Sequence, residues 1–194
     1  MGDVEPALDE VGHSLRKQTC TAWVFSKGVS VGGVILKRYM LPMGIDNEEF
    51  IYLMDLDEAA EHELSIALTS QFEDLGADVA ACGDILEINR IWLASLPQTA
   101  GKSPTIVKAL ASAFCPQFSV LVLKAFPLEY EGALGTTGAI EEPGQADEAA
   151  FRRRQLAMMR YYARHFGVRQ MRIEHGDKGW MFRLRSDLEH LLED

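Results

Sequence analysis

Several classes of protein are excluded by what the chain lacks. It has three cysteines in 194 residues, Cys20, Cys82 and Cys115. They are widely spaced and odd in number, which argues against a disulfide scaffold or a zinc site and reads as reduced core thiols. No apolar run approaches the roughly 18 residues of a membrane span. The opening MGDVEPALDE is acidic and has neither the basic nor the apolar part of a signal peptide. Pro6 stands where a myristoylation motif requires Ser or Thr. The expectation is a soluble, cytoplasmic protein with no membrane partner. Positive charge is scarce: 19 Lys and Arg face 29 Asp and Glu, for a formal net charge of −10. Such a surface repels polyanions, so no nucleic-acid partner is expected. A few backbone N–H groups with one or two cations still suffice to hold a phosphate-bearing ligand locally. Among the five histidines no pair has ligand spacing on one helix face, and no metal is expected.

What is present is an ordinary globular composition, 47% hydrophobic and 25% charged. A chain this long buries roughly 70% of its unfolded surface and needs no staple. Its length fits one domain. Residues 1–18 read as a polar N-terminal segment and 19–190 as a single domain. Strand-like runs fall at Thr21–Phe25 and Val31–Met40, punctuated by glycines. Phe50–Leu56 (FIYLMDL) reads as a buried strand. Ala60, Leu64, Ala67, Leu68, Phe72 and Leu75 recur at helical steps. Ile85–Ala94 is β-branched and apolar enough for a central strand. A second helix opens near Pro104 and stops at Pro116. Phe118–Phe126 is almost uninterruptedly apolar, as in a strand covered on both faces. The stretch 131–147 reads as a long mobile loop. A third helix covers about 148–165 and ends at Gly167. Met171–Glu174 and Trp180–Leu184 flank HGDKG as a hairpin. This order predicts one mixed α/β, or α+β, domain with a parallel strand pair at its centre.

The segment from Leu93 to Leu110 carries the most chemistry. A strand leads through a short polar loop with one glycine into an apolar helix. Such a junction leaves backbone N–H groups pointing outward, reinforced by the helix dipole, and suits a pyrophosphate. Lys102 adds a charge, and Thr99 and Ser103 add hydroxyls; the alternative is that Gly101 and Ser103 merely turn and cap the helix. Gly101-Lys102-Ser103 also supplies the last three residues of the triphosphatase phosphate loop. Its first glycine is replaced by Leu96, however, and the next strand ends in Lys124 with no Asp for magnesium.

Gln98-Thr99-Ala100-Gly101-Lys102-Ser103 resembles the coenzyme A loop [QR]-x-x-G-x-[GA] of the GNAT superfamily of N-acetyltransferases. Gln98 and Gly101 match, Ser103 replaces the final small residue, and Lys102 stands where the family has an apolar one. The order of elements agrees from Ile85 to Leu184, about half the chain. RYYARHFGV is similar to the family's Tyr, three residues, Gly-Phe segment, with Tyr162 one residue further from Gly167 and Val168 in place of Phe. The resemblance implies a GNAT-like mixed central sheet with a splayed parallel strand pair and helices on both faces. It implies acetyl-CoA, or another acyl-CoA, held by Trp92, Leu93, Ala94, Gln98, Thr99, Ala100, Gly101, Lys102 and Ser103. It also implies direct attack by a small-molecule or protein amine.

Within that frame Tyr162 is the candidate acid for the departing thiolate, with a packed core aromatic as the alternative. Glu87 on the central strand is the candidate base, with Glu129 and Asp55 as rivals. Strand alternation predicts Glu87 and Asn89 on one face and Arg90 and Trp92 on the other. Arg152, Arg153 and Arg154 read as a solvated helix face, with a CoA phosphate or an acidic acceptor as the other reading. A non-catalytic binding module on the same fold remains an alternative, and a homodimer is possible.

Overall fold

A computed structural model describes residues 4–8, 14–56, 59–79, 82–94, 100–127, 145–172, 175 and 178–185. Three strands, β1 (Val4–Leu8), β2 (Ser14–Ser26) and β3 (Val29–Met40), precede three helices, α1 (Asn47–Asp55), α2 (Ala59–Gln71) and α3 (Leu75–Asp78). Then come β4 (Asp84–Leu93), α4 (Ser103–Phe114), β5 (Phe118–Lys124), α5 (Gln145–Phe166), β6 (Arg169–Gln170) and β7 (Trp180–Leu184). The strands form one seven-stranded sheet in the order β1-β2-β3-β4-β5-β7-β6. Only β4 and β5 pair in parallel; every other neighbouring pair is antiparallel. The chain is thus a mixed α+β domain with the expected parallel pair at its centre.

Alternation along the strands sends side chains into two cores. Tyr39, Ile85, Val120, Val122 and Phe182 join Phe50, Leu53, Leu64 and Leu68 of α1 and α2 on one face. Leu36, Leu86, Ile88, Leu121 and Leu123 join Val107 and Ala111 of α4 and Met159 and Phe166 of α5 on the other. Period-2 burial on both sides explains why β5 is apolar almost throughout, since each of its faces is covered by helices. No described helix is long and apolar enough to cross a membrane.

Three expectations are corrected. Phe50–Leu56 is not a strand: 47–55 is the helix α1. Its buried residues Phe50, Leu53 and Met54 follow helical steps, while Tyr52 and Leu56 are exposed. The local reason is Asp46, whose side chain accepts from the Glu49 N–H at 2.8 Å and caps the helix. A run this short and apolar does not reveal its period until the cap is noticed. The N-terminal segment is not wholly loose either. Val4–Leu8 pairs with β2, and β2 begins at Ser14. The last hairpin starts earlier than expected, at Arg169, because Gly167 (φ 70°) ends α5 and the chain turns at once into the sheet. Met171 continues it by donating its N–H to the Trp180 carbonyl at 3.1 Å.

Asp46→Ala removes the α1 cap and should cost about 1 kcal/mol. Urea denaturation checks it: the midpoint falls while the slope is unchanged, and an unchanged midpoint would contradict the capping role.

Candidate functional site

The site lies where the pairing of β4 with β5 ends. Their parallel register runs from Asp84 opposite Phe118 to Ile88 opposite Leu123. Beyond Ile88, β4 continues to Leu93 with only β3 beside it among the described strands. The change of partner coincides with a bulge. Leu36 faces Ile88 and Ile35 faces Arg90, so Asn89 is an extra residue on β4. A bulge bends its strand and re-aims the side chains that follow. Here it reverses the expected alternation. Arg90 and Trp92 lie opposite Ile35 and Gly33, and so share the face of Glu87, which lies opposite Lys37. Ile91, opposite Val34, turns to the α4–α5 core.

Past the bulge, Ile91, Trp92, Leu93 and Ala94 line an open depression of about 670 Å³ with Ser30, Val31 and Gly32. Ala94 donates its N–H to the Val31 carbonyl at 2.8 Å. Gly32 is required here: its φ is +144°, and a Cβ would overlap the Trp92 carbonyl oxygen. The Trp92 ring lies over Gly33 and meets Trp23 edge-on, with centroids 5.6 Å apart. The structure therefore brings Trp92, Leu93 and Ala94 together at one surface.

Ala100, Gly101 and Lys102 are exposed just before α4, and Ser103 is half-buried at its start. Lys102 is the N-cap residue, makes no side-chain capping bond and is followed by Pro104 in the first turn. The helix therefore begins with no capping side chain at its N-cap position. Gly101 has φ +69° with open space where a Cβ would stand. Helix α5 reaches this point: the Tyr161 hydroxyl lies 3.5 Å from Ser103 Oγ, and the His165 ring lies tilted against Tyr161 with centroids 4.4 Å apart. Gln98, Thr99 and Glu129 lie outside the described residues.

Glu87 is buried on the α1–α2 side. Its Oε2 accepts from the Tyr39 hydroxyl at 2.7 Å and its Oε1 from Asn89 Nδ2 at 3.0 Å. The Tyr39 oxygen is also 3.4 Å from Oε1 of Glu61 on α2. Glu61 is paired with Lys37 at 2.7 Å and with Lys17 at 3.1 Å. Burial pushes the Glu61 carboxyl up, and the two lysines partly offset this. Burial, together with the two carboxylates, pushes the Tyr39 phenol well above its ordinary value.

Tyr39, Glu61, Lys37 and Lys17 were not anticipated from the sequence. A signal was there. Glu61 stands three residues before Leu64 and seven before Leu68, on the buried stripe, and Lys37 and Tyr39 fall on one face of their strand by alternation. Tyr162 packs between Tyr161 and Phe166 beside the α4–α5 core. Its phenol is pushed up to about 12, mainly by burial. Asp55 is largely exposed, with His62 Nδ1 at 3.1 Å. Arg152, Arg153 and Arg154 are exposed on α5.

Compared with protein-family models, with curated proteins and with solved structures, the chain has no match.

The raised phenols make the fold sensitive to alkali. An unfolded tyrosine releases its proton near pH 10. Tyr162 holds its proton up to about 12 in the fold. The stability this contributes is complete below pH 10 and lost as pH rises through 12. Urea midpoints between pH 9 and 12 should therefore fall, and less steeply in Tyr162→Phe; identical slopes would refute the buried phenol.

Proposed function

We propose that the chain is an acyl-CoA-dependent N-acyltransferase that passes an acetyl or similar acyl group directly to an amine. The observation that carries this reading is the end of the central parallel pairing at Ile88 and Leu123, next to the Asn89 bulge. Beside a buried carboxylate, β4 then runs on with only β3 as a neighbour among the described strands. Of the GNAT-like loop residues, Ala100, Gly101, Lys102 and Ser103 lie at the start of α4.

The residues present suit an acyl-CoA. The start of α4 has no side-chain cap, Lys102 adds a cation, and Gly101 leaves the backbone open to approach. Backbone from Thr99 to Ser103, with Gln98, would hold the pyrophosphate, and the backbone of 91–94, including Trp92, Leu93 and Ala94, would receive the pantetheine arm. When bound, the acyl-CoA supplies an activated thioester carbonyl. The chain's own residues then manage protons. Glu87, whose Oε1 is shared with exposed Asn89, takes the proton of the acceptor ammonium so that the neutral amine attacks. Tyr162 stays protonated at neutral pH and serves as donor to the thiolate. Tyr161 is the competing donor, because its hydroxyl is the one that touches the head of α4. The net charge of −10 favours a cationic acceptor over an anionic one.

A non-catalytic acyl-CoA-binding module on the same fold is the rival. Isothermal titration with acetyl-CoA, CoA and Mg-ATP is the first experiment. The expected result is binding of both CoA species and not of ATP. Gly101→Glu should weaken it at least about tenfold, a loss of about 1.4 kcal/mol, with the circular dichroism unchanged. Normal binding by that variant would remove the loop assignment. Binding without turnover on any amine would favour the rival.

A further inference from the structure

From the chain of short contacts behind Glu87 we infer that Tyr39 and Glu61 form the outlet for the proton that Glu87 takes from the acceptor amine. The inference rests on the acyltransferase proposal. Glu87 is buried, so a proton it gains must leave either back through the acceptor channel or through protein groups. Only one of its oxygens, Oε1, lies beside an exposed side chain, that of Asn89. The other, Oε2, points inward to the Tyr39 hydroxyl at 2.7 Å. Tyr39 is fully buried and its oxygen also stands 3.4 Å from Glu61 Oε1. One phenol with one proton between two carboxylates is a switchable link, because it donates to either side as it accepts from the other.

The proton balance closes. An N–H bond of the acceptor ammonium breaks and its proton goes to Glu87 Oε1. Rotation of the Glu87 carboxyl brings the protonated oxygen to Tyr39, and the proton then passes to the Tyr39 oxygen as the tyrosine's own proton moves to Glu61 Oε1. Lys17, the more exposed of the two lysines on Glu61, marks where that proton leaves for water. The net change is one proton moved from the amine to solvent, with Glu87 and Tyr39 restored. The titratable and charged groups along the route are Glu87 from β4, Tyr39 and Lys37 from β3, Glu61 from α2 and Lys17 from β2. The Lys37–Glu61 pair keeps Glu61 in register with Tyr39; Lys37 and Tyr39 are positioned by the same strand face.

To test the outlet, acyl transfer is followed for wild type, Tyr39→Phe and Glu61→Gln. The variants should bind acetyl-CoA within twofold of wild type while kcat falls about tenfold or more, and added imidazole should restore part of the loss. A fall that imidazole leaves untouched assigns both residues a purely structural role and overturns the outlet. Should either variant fail to fold, the other carries the kinetic comparison alone. Transfer unaffected by either variant removes the outlet but keeps the acyltransferase. Absence of transfer by the wild type removes both.

Discussion

The fold is governed by the need to place two parallel strands side by side. Antiparallel neighbours can be joined by a tight turn, but β4 and β5 run the same way, so the chain must cross back over the sheet between them. Helix α4 is that crossover. Its N-terminus, with Gly101 and Lys102 just before it, follows the C-terminal end of β4 in the chain. The other strands are tied to the centre by antiparallel ladders and extend the sheet on either side. The pairing ends at Ile88 and Leu123, one residue short of the end of β5 and next to the bulge at Asn89. Up to that point β4 is closed on both sides; after it, β3 alone lies beside it among the described strands.

The second consequence of that arrangement is electrostatic. Glu61, Glu87 and Lys37 are all buried between the sheet and α2, in a region otherwise made of Phe50, Leu53, Leu64 and Leu68. Burying an ion pair recovers little net stability, whereas deleting one partner costs about 3–5 kcal/mol. A wholly apolar core at this point would fold as well. That the charges are there, joined through one tyrosine and opening at Asn89, fits a role in handling protons better than a role in holding the fold.

Much of the fold was legible in the sequence. The apolar run of β5, the β-branched run of β4, the Pro104 and Pro116 boundaries of α4 and the glycine after α5 each report a local preference that packing did not override. Phe50–Leu56 was misread because seven apolar-rich residues fit either period, and the deciding group, Asp46, lies outside the run. The placement of Arg90 and Trp92 failed for a different reason. Strict alternation holds only until a residue is inserted, and nothing in ILEINRIWL marks Asn89 as the insertion. At the candidate site, Glu87 was found because it interrupts a central strand. Tyr39 and Glu61 were not, because their partnership spans 22 residues of sequence and exists only once α2 lies across the sheet.

The three tryptophans occupy three different surroundings. Trp180 is enclosed in the core, Trp23 stands 60% exposed, and Trp92 lies between, edge-on to Trp23 and forming part of the depression at the end of β4. Each indole therefore emits from its own polarity. Trp180 reports the integrity of the core, and the Trp23–Trp92 pair reports the surface where β4 runs free. The protein thus carries intrinsic optical probes in two settings, the core and the surface at the end of β4, and replacing Trp23 and Trp92 by Phe would leave the core signal alone without labelling.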